Sequence, residues 1–303
     1  MVNGRVKNIQ MIEDYLREKR KLIDEQLNKY LPAEEESPEL IHKAMRYSVF
    51  AGGKRFRPIL LLATGKTLGV NEEDLLEAAC AIECIHTYSL IHDDLPCIDN
   101  DDYRRGKLTN HKVFGEAIAV LAGDALLTVA FQILSRSKIA KENPHIGIRV
   151  IECISDAIGT EGMLGGQVFD ITYEKVQVSS NEIIKMDFMK TARLIRASVM
   201  VGAIISEVGM DIEKILSAYG ENIGISFQII DDLFDVRGNA AELGKAVGKD
   251  GLMHKATLCS LLGYEAAKQK AVDLINEGIQ FIKELDKFNL LTQLAQYLIS
   301  RLS

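Results

Sequence analysis

The residues that could do chemistry gather at two places in this chain. The first runs Ser89-Leu90-Ile91-His92-Asp93-Asp94-Leu95-Pro96-Cys97-Ile98-Asp99-Asn100-Asp101-Asp102-Tyr103-Arg104-Arg105-Gly106, five carboxylates and then two guanidiniums at the end of an apolar run. Carboxylates crowded in this way repel one another and lose hydration unless a cation sits among them, and their hard oxygens suit a divalent ion such as Mg²⁺. The second is Phe227-Gln228-Ile229-Ile230-Asp231-Asp232-Leu233-Phe234-Asp235, where Asp231 and Asp235, four apart, share one helix face. Mg²⁺ dehydrates reluctantly, takes one or two carboxylates, and fills its other positions with water and phosphate. Two such clusters beside basic residues therefore predict a phosphorylated ligand. A single Asp-rich stretch reads equally well as a solvated helix end, but two with the same apolar lead-in make coincidence a poor account.

A candidate anion pocket precedes them. Gly52-Gly53-Lys54-Arg55-Phe56-Arg57-Pro58 places three cations at a glycine break, just before a helix that Pro58 can begin. Backbone donors and guanidinium forks converge there at the positive end of a helix dipole. The competing reading is an ordinary helix C-cap with basic residues in its last turn. His86 lies seven residues before Asp93, two turns back on roughly the same face, although a lone helical histidine is more often a packing residue.

The elements that must position these groups are helical. The chain has 303 residues, 47% of them hydrophobic, with five prolines and no Trp, and its apolar positions favour Leu, Ile and Ala, so we read it as all-α. Helices are expected over 5–29, 38–50, 72–92, 113–136, 150–171, 220–235, 259–285 and 288–301, with another apolar run opening at Lys190-Thr191. Glu72, Glu73 and Asp74 suit the start of the helix that carries the first motif. Pro96 should end that helix and let the chain turn so that Asp99 comes back towards Asp93. Gly162, Gly165 and Gly166 imply a close helix approach or a ligand needing room, with Gln167 and Asp170 structural or cavity-lining. The glycine-broken loop from Leu243 to Asp250 reads as a lid.

A net charge of −7 argues against general nucleic-acid binding. Charges at Arg5, Lys7, Glu13 and Asp14 interrupt the beginning where a secretory signal would be apolar, and no uninterrupted apolar run approaches the ~18 residues of a membrane span. The expectation is a soluble, cytosolic protein. Cys80, Cys84, Cys97, Cys153 and Cys259 are odd in number with no CxxC pair, which suits free thiols in a reducing compartment.

Taken in order, Gly53 to Pro58, the two Asp-rich motifs, Lys190-Thr191 and Gly244-Lys245 through Asp250 resemble the trans-isoprenyl diphosphate synthases, and the resemblance covers essentially the whole chain. The four residues between the Asp pair and Asp99 are like those of the bacterial farnesyl diphosphate synthases. The resemblance implies a single polyprenyl synthetase domain over residues 1–303, an all-α bundle around a deep central cavity (the isoprenoid synthase fold), usually a homodimer and using Mg²⁺. It implies Asp93, Asp99 and Asp231 as main metal ligands, assisted by Asp94 and Asp235. Arg104, Lys190, Thr191, Gln228 and Lys245 would hold the allylic diphosphate; Lys54, Arg57, His86 and Arg105 would hold isopentenyl diphosphate.

The implied reaction is condensation of isopentenyl diphosphate with dimethylallyl or geranyl diphosphate to farnesyl diphosphate. Tyr88, five residues before Asp93, resembles the floor that stops such products at fifteen carbons. The alternatives are a geranylgeranyl or geranyl diphosphate synthase, and a non-catalytic regulatory subunit, which is expected to lack one acidic motif. Arg193 and Arg196 stand where the family more often has smaller or apolar residues. Cys97 sits inside the first motif, and Arg301 resembles a basic C-terminal residue that helps close the cavity.

Overall fold

The computed structural model describes residues 2–174, 176–242 and 257–302. In chain order the elements are α1 (Val2–Tyr30), α2 (Glu39–Val49), α3 (Phe56–Thr67), α4 (Glu72–Asp93), β1 (Tyr103–Arg104), β2 (Lys107–Leu108), α5 (Asn110–Phe114), α6 (Glu116–Arg136), α7 (Lys138–Glu142) and α8 (Pro144–Ile158). They continue with α9 (Met163–Thr172), α10 (Ser180–Asp187), a π-helical turn (Phe188–Ala192), α11 (Arg193–Ile205), α12 (Met210–Glu242), α13 (Leu258–Leu262), α14 (Tyr264–Ile282) and α15 (Leu290–Ser300). Among the described residues the antiparallel ribbon β1–β2 supplies the only strands, and the expected all-α class holds. By its internal contacts the chain divides into two compact units, residues 1–151 and 152–303.

The first unit is built on α3 and α4. Every residue from Phe56 to Gly65 is buried, and Leu60, Leu61 and Leu62 are at most 1% exposed; burying each such side chain stabilises by roughly 1.5–3 kcal/mol. Pro58 sits in the first turn of α3, where its missing N–H costs nothing. Two glycines set the helix spacing. A Cβ on Gly65 would lie 2.4 Å from Leu75 Cδ1, and one on Gly123 would lie 2.1 Å from His92 Nε2, so α4 packs close against both α3 and α6.

The helix expected over 113–136 is interrupted. Gly115, at φ +85°, separates α5 from α6, because that left-handed backbone cannot continue a helix. Nor is α6 buried all round: Val120 is 40% and Leu121 50% exposed. Its most apolar 18-residue window has a mean hydropathy of 2.0 and is 39% buried, but Asp124, Thr128 and Gln132 interrupt it, so the expectation of no uninterrupted apolar run of ~18 residues stands.

In the second unit the continuous helix expected over 150–171 is again two, α8 ending at Ile158 and α9 beginning at Met163. At Gly162 (φ −120°, ψ −136°) the chain leaves helical geometry, and a Cβ there would lie 2.2 Å from the Ala157 carbonyl oxygen. The expected close approach is present: a Cβ on Gly166 would lie 2.2 Å from the Lys190 nitrogen, and one on Gly224 would lie 2.6 Å from the Ala192 Cα. Helix α12 runs 33 residues and buries Leu216, Tyr219, Ile223, Ile230 and Leu233, with Ala267, Ala271 and Ile275 of α14 buried alongside. The Tyr219 hydroxyl donates to the Leu291 carbonyl at 2.9 Å. Gly263, at φ +82°, divides α13 from α14, so the expected helix over 259–285 is also broken. Asp286 accepts from the N–H groups of Leu290 and Thr292 at 2.9 and 2.7 Å, satisfying the first turn of α15.

Candidate functional site

In the first unit, α4 delivers the acidic motif. It ends at Asp93, and the chain folds back as expected: the Asp99 N–H donates to the Asp93 carbonyl at 2.9 Å and the Asp101 N–H to the Asp94 carbonyl at 3.2 Å. Asn100 allows the tight return by adopting φ +54°. The turn leaves Asp93 and Asp99 partly exposed, while Asp94 is 3% exposed. Arg104 Nε donates to Asp94 Oδ1 at 2.5 Å and Arg104 Nη2 to Asp101 at 3.4 Å. Burial pushes the Asp94 carboxyl up to about 6, against the pull of Arg104.

The same ribbon organises the second cationic group. Arg105 and Gly106 have φ of +53° and +75°, the two positive values that a type I′ hairpin turn needs. Arg105 donates from its guanidinium to the Gly52 carbonyl, and a Cβ on Gly53 would lie 2.7 Å from the Arg105 Cζ, so the side chain rests on the glycine loop. Arg57, in the first turn of α3 and 8% exposed, brings Nη1 within 3.4 Å of His86 Nε2. Burial, and then the positive charges of Arg57 and Arg105, push His86 well below the usual histidine range. Neutral His86 therefore presents Nε2 as acceptor to Arg57, with its proton on Nδ1. Lys54 is exposed on the glycine loop. Tyr88 is 3% exposed, packs edge-on against His92 at 5.8 Å, and is pushed up to about 12 by burial and by Asp93.

In the second unit, the π-helical turn presents Lys190 and Thr191. Lys190 Nζ donates to Asp170 Oδ2 at 2.6 Å. Thr191 donates to Gln228 Oε1 at 2.7 Å, and Gln228 Nε2 donates to Asp232 Oδ1 at 2.8 Å, so the hydroxyl, amide and carboxyl form one chain. Asp231 is partly exposed and Asp235 exposed, whereas Asp232 is buried, and burial pushes it up to about 7. Arg301 lies 3.8 Å from Asp231 and 4.6 Å over the Phe234 ring. Arg196 donates to Ser217 at 2.7 Å and Arg193 covers the Phe188 ring at 5.2 Å, which gives both arginines packing partners. Lys245 and the loop from Leu243 to Asp250 lie outside the described residues.

Two further acids escaped sequence reasoning. Asp187 is 4% exposed and raised well above the carboxylate range by burial and by Asp232 and Asp170, and Asp232 was read only as half of an acidic pair. Asp187 lies between Met186 and Phe188 in an apolar stretch, and those flanking residues were the one signal in the sequence that it is buried.

The carboxylates fit magnesium. Each motif offers oxygen donors only, one pair from a closed turn and one pair from a single helix face. Among the described residues no group of three or more His, Cys, Asp or Glu side chains could hold a metal alone, so an ion here would take its remaining ligands from water or an anion.

A helical chain with two aspartate motifs and separate cationic groups defines a diphosphate-handling enzyme class, and residues 38–294 match the polyprenyl synthetase family; the chain belongs to that family. It is 46% identical to the farnesyl diphosphate synthase of Micrococcus luteus, over 92% of this chain and 94% of that one. Among solved structures, an FPP/GFPP synthase from Zymomonas mobilis, in its apo form, superposes with a TM-score of 0.85 at 38% identity, covering 96% of this chain and 99% of that one. A geranyltransferase from Helicobacter pylori, complexed with magnesium and isoprenyl diphosphate, gives 0.81 at 34% identity over 95% and 96% of the two chains.

Proposed function

We propose that this protein is a prenyltransferase that condenses isopentenyl diphosphate with dimethylallyl or geranyl diphosphate to make farnesyl diphosphate. The observation that carries the reading is the pair of guanidiniums Arg57 and Arg105 beside neutral His86 in the first unit, additional to the two aspartate motifs. A chain that only ionised one diphosphate would have no use for it. The family match runs through both compact units, which supports reading residues 1–303 as one polyprenyl synthetase domain.

In this reading Asp93, Asp99 and Asp231 hold magnesium, with Asp94 and Asp235 assisting. The ions supply positive charge to the leaving diphosphate. Arg104, Lys190, Thr191, Gln228 and Lys245 bind the allylic diphosphate, and Lys54, Arg57, His86 and Arg105 bind isopentenyl diphosphate. When the allylic C–O bond breaks, charge grows on the departing diphosphate, and donors already aimed at it stabilise the transition state more than the ground state. Two unit charges ~4 Å apart interact by ~4 kcal/mol at an effective dielectric near 20, so Arg104 and Lys190 together offer a substantial share of the barrier reduction. The isopentenyl double bond attacks the allylic cation, and the departed diphosphate takes the proton that is then lost. No Ser, His and Asp triad is required.

The exposed apolar face of α6, with Val120 and Leu121, supports a homodimer through that helix, and the location that goes with this reading is the cytosol. The decisive assay incubates the protein with Mg²⁺, isopentenyl diphosphate and either dimethylallyl or geranyl diphosphate, then sizes the product. A fifteen-carbon product from both starters is expected, and no condensation would overturn the proposal.

A further inference from the structure

Arg55 stands between the two other cations of the glycine motif and turns into the protein interior. It is 2% exposed, and each nitrogen of its fork has a partner: Nε donates to Asp24 Oδ1 at 2.8 Å, Nη1 to Glu83 Oε1 at 2.7 Å, and Nη2 to the Val49 carbonyl at 2.6 Å. One side chain thus ties α1, α4 and the end of α2 to a single point. Its own backbone is the N-cap of α3 in the left-handed region, φ +51° and ψ +34°, and its carbonyl accepts the first helical bond from Ile59 at 3.0 Å. A non-glycine residue adopts this conformation only where its surroundings over-determine it.

The neighbours of Arg55 show what the anchor sets. Lys54 precedes it, Arg57 is two residues on in the first turn of α3, and Glu83 lies one turn before His86 on α4. Glu83 is itself 1% exposed, and its Oε2 has no hydrogen-bond partner among the described residues. A buried ion pair with an unsatisfied oxygen is a poor way to stabilise a core, which apolar residues of similar volume serve as well or better. Its advantage is directional, because only a planar fork can bond three elements at once.

Resting on the assignment of Lys54, Arg57 and His86 to isopentenyl diphosphate, we propose that Arg55 is a positioning residue for that substrate: its threefold anchorage holds Lys54 and Arg57 in register with His86. A lysine at 55 keeps the charge but cannot span three partners.

The test is steady-state kinetics on full-length Arg55→Lys, Glu83→Gln and Asp24→Asn, with Lys54→Ala as reference and thermal melting alongside. Arg55→Lys should raise the KM for isopentenyl diphosphate about tenfold or more while leaving that for geranyl diphosphate within about twofold. Glu83→Gln and Asp24→Asn should show the same selectivity at smaller amplitude. Equal effects on both substrates, or a lowered Tm with an unchanged isopentenyl diphosphate KM, would overturn the proposal. If Arg55→Lys does not fold, the other two variants decide by the same criterion. Should Lys54→Ala itself leave the isopentenyl diphosphate KM unchanged, the pocket assignment fails; should it raise that KM while the network variants do not, the positioning role alone fails.

Discussion

The main-chain N–H of Asp99 donates to the carbonyl of Asp93 at 2.9 Å, so two carboxylates six residues apart leave the protein from one closed turn. Asp93→Asn and Asp99→Asn keep the turn, whose bond is backbone to backbone, and remove one carboxylate charge each, a magnesium ligand in the proposed function. Each variant should lose about 10²–10³ in kcat with a near-native Tm, on the scale of removing one transition-state electrostatic contact. Product formation under saturating substrates, paired with a melting curve, checks it.

His86 supplies the pH dependence. Burial and neighbouring arginines hold its folded value well below the ordinary 6.5, so below that pH the unfolded chain takes up a proton that the folded protein refuses. Its contribution to stability is therefore present above pH 6.5 and is lost as the pH falls towards the depressed value. The Tm of the wild type should fall more steeply between pH 7 and 5.5 than that of His86→Gln; parallel curves would contradict the burial of a neutral imidazole.

In the proposed function Tyr88 is the residue expected to set product length. Tyr88→Ala should release chains of twenty or more carbons on reversed-phase chromatography, and an unchanged fifteen-carbon product would reject Tyr88 as the floor. Truncating a side chain that is 3% exposed also costs about 3–5 kcal/mol, so the assay belongs at low temperature.

Gly166 holds α9 against the π-helical turn. In Gly166→Ala the new methyl carbon would have to occupy a point 2.2 Å from the Lys190 nitrogen, which the backbone can relieve only by moving. A loss of about 1–3 kcal/mol is expected, together with a raised KM for the allylic diphosphate, because Lys190 moves with the turn. Urea unfolding and kinetics on the same preparation check both.

Leu121, half exposed on α6, tests association. In the proposed homodimer, Leu121→Glu is expected to shift sedimentation from dimer to monomer, and a wild type that sediments as a monomer would contradict that arrangement.

What was legible in the sequence follows physical strength. Long apolar runs gave helices, Pro96 ended α4 where needed, and the carboxylates of the first motif returned on themselves as their spacing implied. The glycines near Gly166 announced a close approach that Lys190 supplies. Breaks at Gly115, Gly162 and Gly263 were missed because an apolar period continues across each, and a single glycine inside such a pattern costs only ~1 kcal/mol in an ordinary helix. The π-helical turn left no mark either, since one inserted residue shifts the period by less than a short window resolves. The network of Arg55 was invisible for another reason: Asp24, Val49 and Glu83 are scattered over sixty positions, and only the fold makes them neighbours.

The ribbon carries a last consequence. Arg104 reaches the acidic turn while Arg105, the next residue, rests on the glycine loop, so a single peptide unit joins the two segments. In the proposed assignment, in which Arg104 meets the allylic diphosphate and Arg105 isopentenyl diphosphate, binding of one substrate is expected to shift the affinity for the other.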